Sequence, residues 1–306
     1  MLLQRIAKVA GLPEEFIVKL ARTANHRYRT YQIPKRKGAG FRTIDHPSKH
    51  LKFLQRWLVR NVFSHAPVHT SVYSYKEGTG IRKHARLHVN CKYTLRIDFC
   101  DFFPSIKSTD VRRLLNENRS RFPIQITDQD IDIVTSLACK NDKLTIGAPC
   151  SPSISNAIMH DFDEHWSQKA RQANAIYSRY ADDIYFSTNR PGVLLGLLSE
   201  LKEDLAVRNS PQLILNNSKT IFTSRKRKRV ITGIVVTPDR KLSLGREKKR
   251  QLKTLVYLFG KNQLRKDRAK SLQGLLSYAS TIEPAIVSRL KEKFGNELVS
   301  KIIEMP

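Results

Sequence analysis

The sequence predicts an α+β fold, and three observations carry that reading. Short apolar runs of strand character stand at 93–99, 175–179 and 184–187, the last two separated only by a tight turn. Apolar residues at helical spacing occupy the stretches between and after them. The elements also follow one another as strand, helix, hairpin, helix, strand, which favours an antiparallel sheet backed by helices.

Each element has its own signal. Leu2, Leu3, Ile6 and Val9, then Phe16, Ile17 and Leu20, give a helical lead-in over residues 1–24, with Pro13 opening its second segment. From Tyr28 to Ile44 the period shortens towards two around Lys37, Gly38, Ala39 and Gly40, a basic β-hairpin. Ser151 as N-cap and Pro152 in the first turn open a helix with Ile154, Ile158, Phe162 and Trp166 on one face. Pro191 begins another, in which Leu194, Leu197, Leu198, Leu201 and Leu205 recur at helical spacing. From Val230 a short β segment leads into helices rich in Lys and Arg, starting near Ser243. There is no internal repeat and no long linker.

The 306 residues are 40% hydrophobic, enough for a substantial core, and carry a formal charge of +28. Such an excess calls for a polyanionic partner. It is unevenly placed: ten basic residues face one acidic residue over 27–60, and 22 face 7 over 216–306. The densest run, Arg225 to Arg229, is either a solvated loop or a nucleic-acid contact. No apolar run approaches the roughly 18 residues of a spanning helix, and Arg5 and Lys8 interrupt the N-terminal apolar stretch, so no membrane partner and a cytoplasmic location are expected. Cys91, Cys100, Cys139 and Cys150 lack paired CxxC spacing and are expected to be ordinary buried thiols.

Asp182 and Asp183 are adjacent acids at the tip of the 175–187 hairpin, where mutual repulsion asks for compensation. A hard divalent cation supplies it, since magnesium takes one or two carboxylates together with substrate phosphates. Alone, such a pair is an ordinary surface turn. Asp98, ending the apolar strand of Arg96–Ile97–Asp98–Phe99, is a second carboxylate in an awkward place. If the two strands are neighbours, the acids meet and can hold two metal ions for phosphoryl transfer.

These residues sit within longer motifs. Tyr180–Ala181–Asp182–Asp183 resembles the catalytic box of reverse transcriptases, and DFCDFFPSI from Asp98 to Ile106 is similar to their first metal motif. The loop from Gly147 to Asn156, the lysine-bearing stretch Leu215, Asn216, Ser218, Lys219, Thr220 and the hairpin from Ile33 to Arg42 resemble further motifs of that family, in its order. HARLH at 84–88 and ITG at 231–233 resemble the NAxxH and VTG segments of bacterial retron enzymes, each with one residue changed. Ile146 stands where many relatives carry Gln.

The resemblance implies a right-hand polymerase with an antiparallel-sheet palm, fingers and palm over 25–225 and a basic helical thumb over 226–306. It implies Asp98, Asp182 and Asp183 as catalytic acids and, with backbone at Phe99, as ligands of two magnesium ions. Lys219 would act as general acid on the pyrophosphate and Arg42 would grip the triphosphate. Phe103 would lie under the incoming sugar and exclude a 2′-hydroxyl, and Gly147 and Ala148 would line the nucleotide site. Arg246, Lys248, Lys249 and Arg250 are expected to bind RNA. For a retron enzyme the implied partners are deoxynucleotides, a cognate non-coding RNA (msr-msd), the branched RNA-linked DNA (msDNA) primed from a guanosine 2′-hydroxyl, an effector protein in antiphage defence, and host RNase H. A group II intron-like or other defence reverse transcriptase, and a catalytically silent RNA-binding scaffold, are the rival readings.

His84 and His88 lie at i, i+4 spacing, but the Glu of HExxH is missing, which argues against zinc and leaves an RNA or a structural contact. Tyr73 and Tyr75 can stack bases or pack in a core.

Overall fold

A computed structural model of the chain describes residues 2–35 and 40–305, so Lys37, Gly38 and Ala39 of the expected hairpin turn lie outside the described residues. The chain forms two compact units, one of residues 1–77, 96–186 and 192–221, the other of 78–95, 187–191 and 222–306. Residues 78–95 thus group with the C-terminal segment, a membership that sequence order does not suggest.

In the first unit the helices Leu2–Ala10 and Glu14–Arg22 bury Leu2, Ile6, Ile17 and Leu20, and the second packs on helix Asp128–Ala138. The lead-in is therefore tied into the core. Strands β1 (Tyr28–Pro34) and β2 (Phe41–Pro47) pair antiparallel, with Ile33 opposite Arg42. The central sheet contains β3 (Tyr93–Cys100), β4 (Ala175–Tyr180), β5 (Asp183–Thr188) and β6 (Ile214–Leu215) in the order β4-β5-β3-β6, and β7 (Ile221–Ser224) also pairs with β3. β3 and β6 run antiparallel, placing Phe99 opposite Leu215. Because successive strand residues alternate faces, Leu95, Ile97 and Phe99 share one side of β3, while Arg96 and Asp98 share the other.

The helix expected from Ser151 to Trp166 is two helices, Ser151–Ile158 and His160–Gln172, separated at Met159. Ser151 is not the cap: Cys150 holds that position, and Ser151 is the first helical residue, its hydroxyl buried. Pro152 sits in the first turn, where its missing N–H removes no helical bond. Helix Val193–Val207 buries Leu194, Leu197 and Leu201. Beneath the sheet lies a charged core element. Arg179 donates to Asp163 from Nε at 2.8 Å and from Nη2 at 2.6 Å, both side chains fully buried, and Tyr177 donates to the same carboxylate at 2.6 Å.

The second unit holds the antiparallel sheet β8 (Arg229–Ile231), β9 (Ile234–Val236) and β10 (Leu242–Ser243), with β9 central. The ITG segment is its first turn: Thr232 and Gly233 take φ of +45° and +81° between the paired strands, the backbone of a two-residue hairpin. Helices Arg246–Gly260, Lys266–Ile282, Ala285–Phe294 and Asn296–Ile303 follow, closing around Leu252, Val256, Leu272, Leu276, Leu290 and Ile302.

The run 225–229 is not simply a solvated loop. Arg229 is buried, donating to the carbonyls of His88 and Cys91, and Arg225 donates to the carbonyl of Asn90 at 2.9 Å. His84 and His88 are fully buried with rings 5.4 Å apart, and His88 Nδ1 lies 2.7 Å from the Ser187 hydroxyl. Burial pushes His84 down to about 3 and His88 well below its usual value, so both are neutral packing groups. All four cysteines are free, and burial pushes Cys139 up to about 12.

Candidate active site

The three aspartates singled out in the sequence converge in the first unit. Asp98 is buried on β3 and accepts from Lys219 Nζ at 2.8 Å and from the Asn216 side-chain amide at 3.4 Å. The Asn216 backbone N–H donates to the Asp98 carbonyl at 2.8 Å, which fixes that end of β6 on β3. Asp182 occupies the turn between β4 and β5, and Asp183 begins β5, whose neighbour in the sheet is β3.

That turn is held from below. Ala181 adopts φ +57°, its N–H donating to Ser74 Oγ at 2.7 Å and its carbonyl accepting from Arg179 Nη1 at 3.0 Å. Arg179 Nη1 also donates to Asn156 Oδ1 at 3.2 Å. The buried Arg179–Asp163 pair thus reaches the turn that carries Asp182 through one hydrogen bond.

The electrostatics are those of acids held together against repulsion. Burial raises Asp183 to about 6, with Asp182 and Asp98 adding to the rise and Arg96 opposing it. Burial also raises Asp182, with Asp98 the next cause, while Lys219 and Arg42 pull it down. Arg96 donates to Asp183 Oδ1 at 3.0 and 2.7 Å and to Oδ2 at 3.0 Å, a forked pair on the same strand face as Asp98. Sequence reading missed Arg96, Ser74 and Arg179. The available signal was a charged residue inside an apolar strand, which needs a buried partner.

Among the described residues no set of three acidic, histidine or cysteine side chains is arranged to hold an ion unaided. Lys219 and Arg96 each engage one of the carboxylates. The donor set still fits a hard cation, because these are oxygen ligands whose burial and mutual repulsion a divalent ion relieves.

The surrounding residues fall as follows. Arg42, exposed on β2, is close enough for its charge to lower Asp182. Phe103 is half-buried in the short helix Phe102–Ser105, its ring 5.5 Å from that of Phe102. Gly147, at φ +116°, has a backbone reason to be glycine: a Cβ there would lie 2.7 Å from the Asp45 carbonyl oxygen. The Asp45 N–H donates to the Ile146 carbonyl at 2.8 Å, so the loop is tied to β2. Ala148 is buried.

The second unit contains a basic cleft of about 1090 Å³. Lys226, Arg227, Lys228, Arg246, Lys249, Arg250 and Arg268 line it over apolar walls that include Val235, Leu255 and Leu258. Of the four cations expected to bind RNA, Arg246, Lys249 and Arg250 line this cleft, Lys249 while paired with Glu283 at 2.6 Å, whereas Lys248 lies 4.9 Å over the Tyr278 ring. Lys226, Arg227 and Lys228 belong to the basic run noted in the sequence, and Arg268 was not singled out there.

Comparison with known proteins agrees with this geometry. Residues 33–259 match the family described as reverse transcriptase (RNA-dependent DNA polymerase). The Escherichia coli retron Ec83 reverse transcriptase is 34% identical over 95% of this chain and 94% of its own length. The Escherichia coli retron Ec73 reverse transcriptase is also 34% identical, over 88% of this chain and 87% of its own. Among solved structures, apo telomerase from Candida tropicalis superposes with a TM-score of 0.50 at 11% identity, over 91% of this chain and 58% of that one, a likeness of fold. Among the described residues no helix is long and apolar enough to cross a membrane. With a right-hand polymerase fold, three converging aspartates and these relatives, the chain belongs to the retron reverse transcriptases, RNA-directed DNA polymerases.

Proposed function

We propose that this enzyme copies part of a cognate structured RNA (msr-msd) into branched, RNA-linked single-stranded DNA (msDNA). Synthesis is primed from a guanosine 2′-hydroxyl, in the cytoplasm. The product serves antiphage defence with an effector protein, and host RNase H removes copied template. Family membership and the coupled, buried carboxylates Asp98, Asp182 and Asp183 support this reading.

In this reading Asp98, Asp182 and Asp183, with backbone at Phe99, hold two magnesium ions. When bound, these ions lower the charge barrier to attack on the α-phosphate and to pyrophosphate departure. Arg96 keeps the Asp183 carboxylate in one orientation through its forked hydrogen bonds. Arg42 grips the triphosphate, Gly147 and Ala148 line the nucleotide site, and Phe103 excludes a ribose 2′-hydroxyl. Lys219 leaves Asp98 to give its proton to the departing pyrophosphate. Arg246, Lys248, Lys249 and Arg250 bind RNA in concert with the basic cleft, where phosphates meet fixed cations.

The test combines purified enzyme, the structured RNA encoded beside it, deoxynucleotides and magnesium. Labelled DNA that stays linked to RNA until a 2′,5′-debranching enzyme is added, and that is absent with Asp182→Asn, is the expected result. DNA never joined to RNA through a 2′ branch refutes the priming.

A further inference from the structure

Tyr75 follows directly on Ser74, the residue that holds the Ala181 N–H. Residues 71–74 are laced to the edge of β4: Val72 bridges Arg179 in parallel, the Arg179 N–H donates to Ser71 O at 2.9 Å, and the Tyr73 N–H donates to Arg179 O at 2.9 Å. Ser74 is then clamped from two sides, its hydroxyl accepting from the Ala181 N–H at 2.7 Å and its carbonyl accepting from Asn156 Nδ2 at 2.9 Å. Both Ser74 and Asn156 are buried, so Ser74 is fixed to the turn that carries Asp182.

The next residue, Tyr75, leaves this clamp with φ +53° and is 56% exposed. Left-handed backbone is unfavourable for a bulky side chain, and glycine would occupy it without strain. Packing does not account for the choice, because more than half of the residue is in solvent. The side chain lies within electrostatic reach of Asp182, Tyr180 and Arg42, the carboxylate turn and the triphosphate-gripping arginine of the proposed mechanism. Residues held in such strained backbone cluster at functional sites.

We propose that Tyr75 is a stacking platform for a nucleobase of the primer–template at the catalytic turn. Its rigid tether through Ser74 sets the base against Asp182, so that binding the duplex and registering its end with the carboxylates are one event. The aromatic face is what matters, and every base has a face to offer it. The base belongs either to the template or to the primer terminus, and both present the same chemistry.

The experiment measures binding of a labelled RNA-template, DNA-primer duplex by fluorescence anisotropy to wild type, Tyr75→Phe and Tyr75→Gly, with melting temperature as the fold control. Tyr75→Phe is expected within about twofold of wild type. Tyr75→Gly is expected to bind about tenfold more weakly, in the range of one lost base–aromatic stack, while melting no lower than wild type because it relieves the strained backbone. Removing a single base from the template or from the primer terminus then identifies the strand: on the substrate lacking the stacked base, wild type and Tyr75→Gly bind equally. Wild-type affinity in Tyr75→Gly on the intact duplex overturns the proposal, as does a tenfold deficit that persists on both abasic substrates.

Discussion

Replacing Asp183 with asparagine should stabilise the protein in the absence of metal while abolishing synthesis. The folded chain holds this carboxyl at about 6 against an ordinary 3.8, through burial first and the neighbouring acids next. Between those values the folded state binds more protons than the unfolded one, so stability declines as pH rises, and above about 6 the whole penalty is present. About two pH units at roughly 1.36 kcal/mol each set a ceiling near 3 kcal/mol. Asparagine keeps an oxygen for Arg96 Nε and Nη2 but loses the 3.0 Å bond to Oδ2, which lowers the expected gain to about 1–3 kcal/mol. Thermal unfolding in EDTA near neutral pH should therefore show the variant melting several degrees above wild type. The gap should close as pH falls towards 4. Magnesium should then raise the wild type more than the variant, since a ligand stabilises in proportion to its affinity for the folded form. A variant that melts at or below wild type in EDTA, or a gap independent of pH, refutes the account of a site strained by its own charge.

Three other expectations follow from the geometry. Gly147→Ala places a methyl 2.7 Å from the Asp45 carbonyl on unfavourable backbone, so a loss of about 1–3 kcal/mol and a lower kcat/KM for deoxynucleotide are expected, and unchanged values of both refute it. Arg179→Met leaves Asp163 buried without its counter-charge, with Tyr177 its remaining donor, and urea unfolding should register a loss of about 3–5 kcal/mol; a loss under about 1 kcal/mol would show that the pair is dispensable. His84 and His88 are held below 6.5 by burial, so below that pH the unfolded chain takes up protons that the fold excludes and stability falls with acidity. A His84→Gln/His88→Gln variant should lose less stability than wild type between pH 6.5 and 5, and parallel curves would count against the reading.

Much of the site was legible because its chemistry is local in sequence. A doublet of acids at the tip of a hairpin and an acid near the end of an apolar strand identify themselves, and alternation along β3 puts Arg96 and Asp98 on one side. What pairs with them is set by tertiary approach. Nothing near Ser74 in the sequence says that its hydroxyl receives the Ala181 N–H, 107 residues away. The lysines of the last segment were counted as equivalent because charge is visible in sequence and partners are not: Glu283 takes Lys249, and Tyr278 takes Lys248. The break at Met159 was hidden because apolar spacing carries across it, with Ile154, Phe162 and Trp166 all buried.

The anchoring of Arg225 and Arg229 bears on how fast and how firmly the cleft takes an anion. Both ends of the Lys226–Lys228 loop are fastened to carbonyls of residues 88–92, leaving the three cations between them on a short, tethered span. A flexible lysine tail surrenders backbone and side-chain entropy when it closes on a phosphate, whereas the backbone of this span has surrendered part of its own during folding. Affinity then depends on the spacing of charges already in place, and a polyanion whose phosphates do not match that spacing gains little from the loop's freedom to adapt.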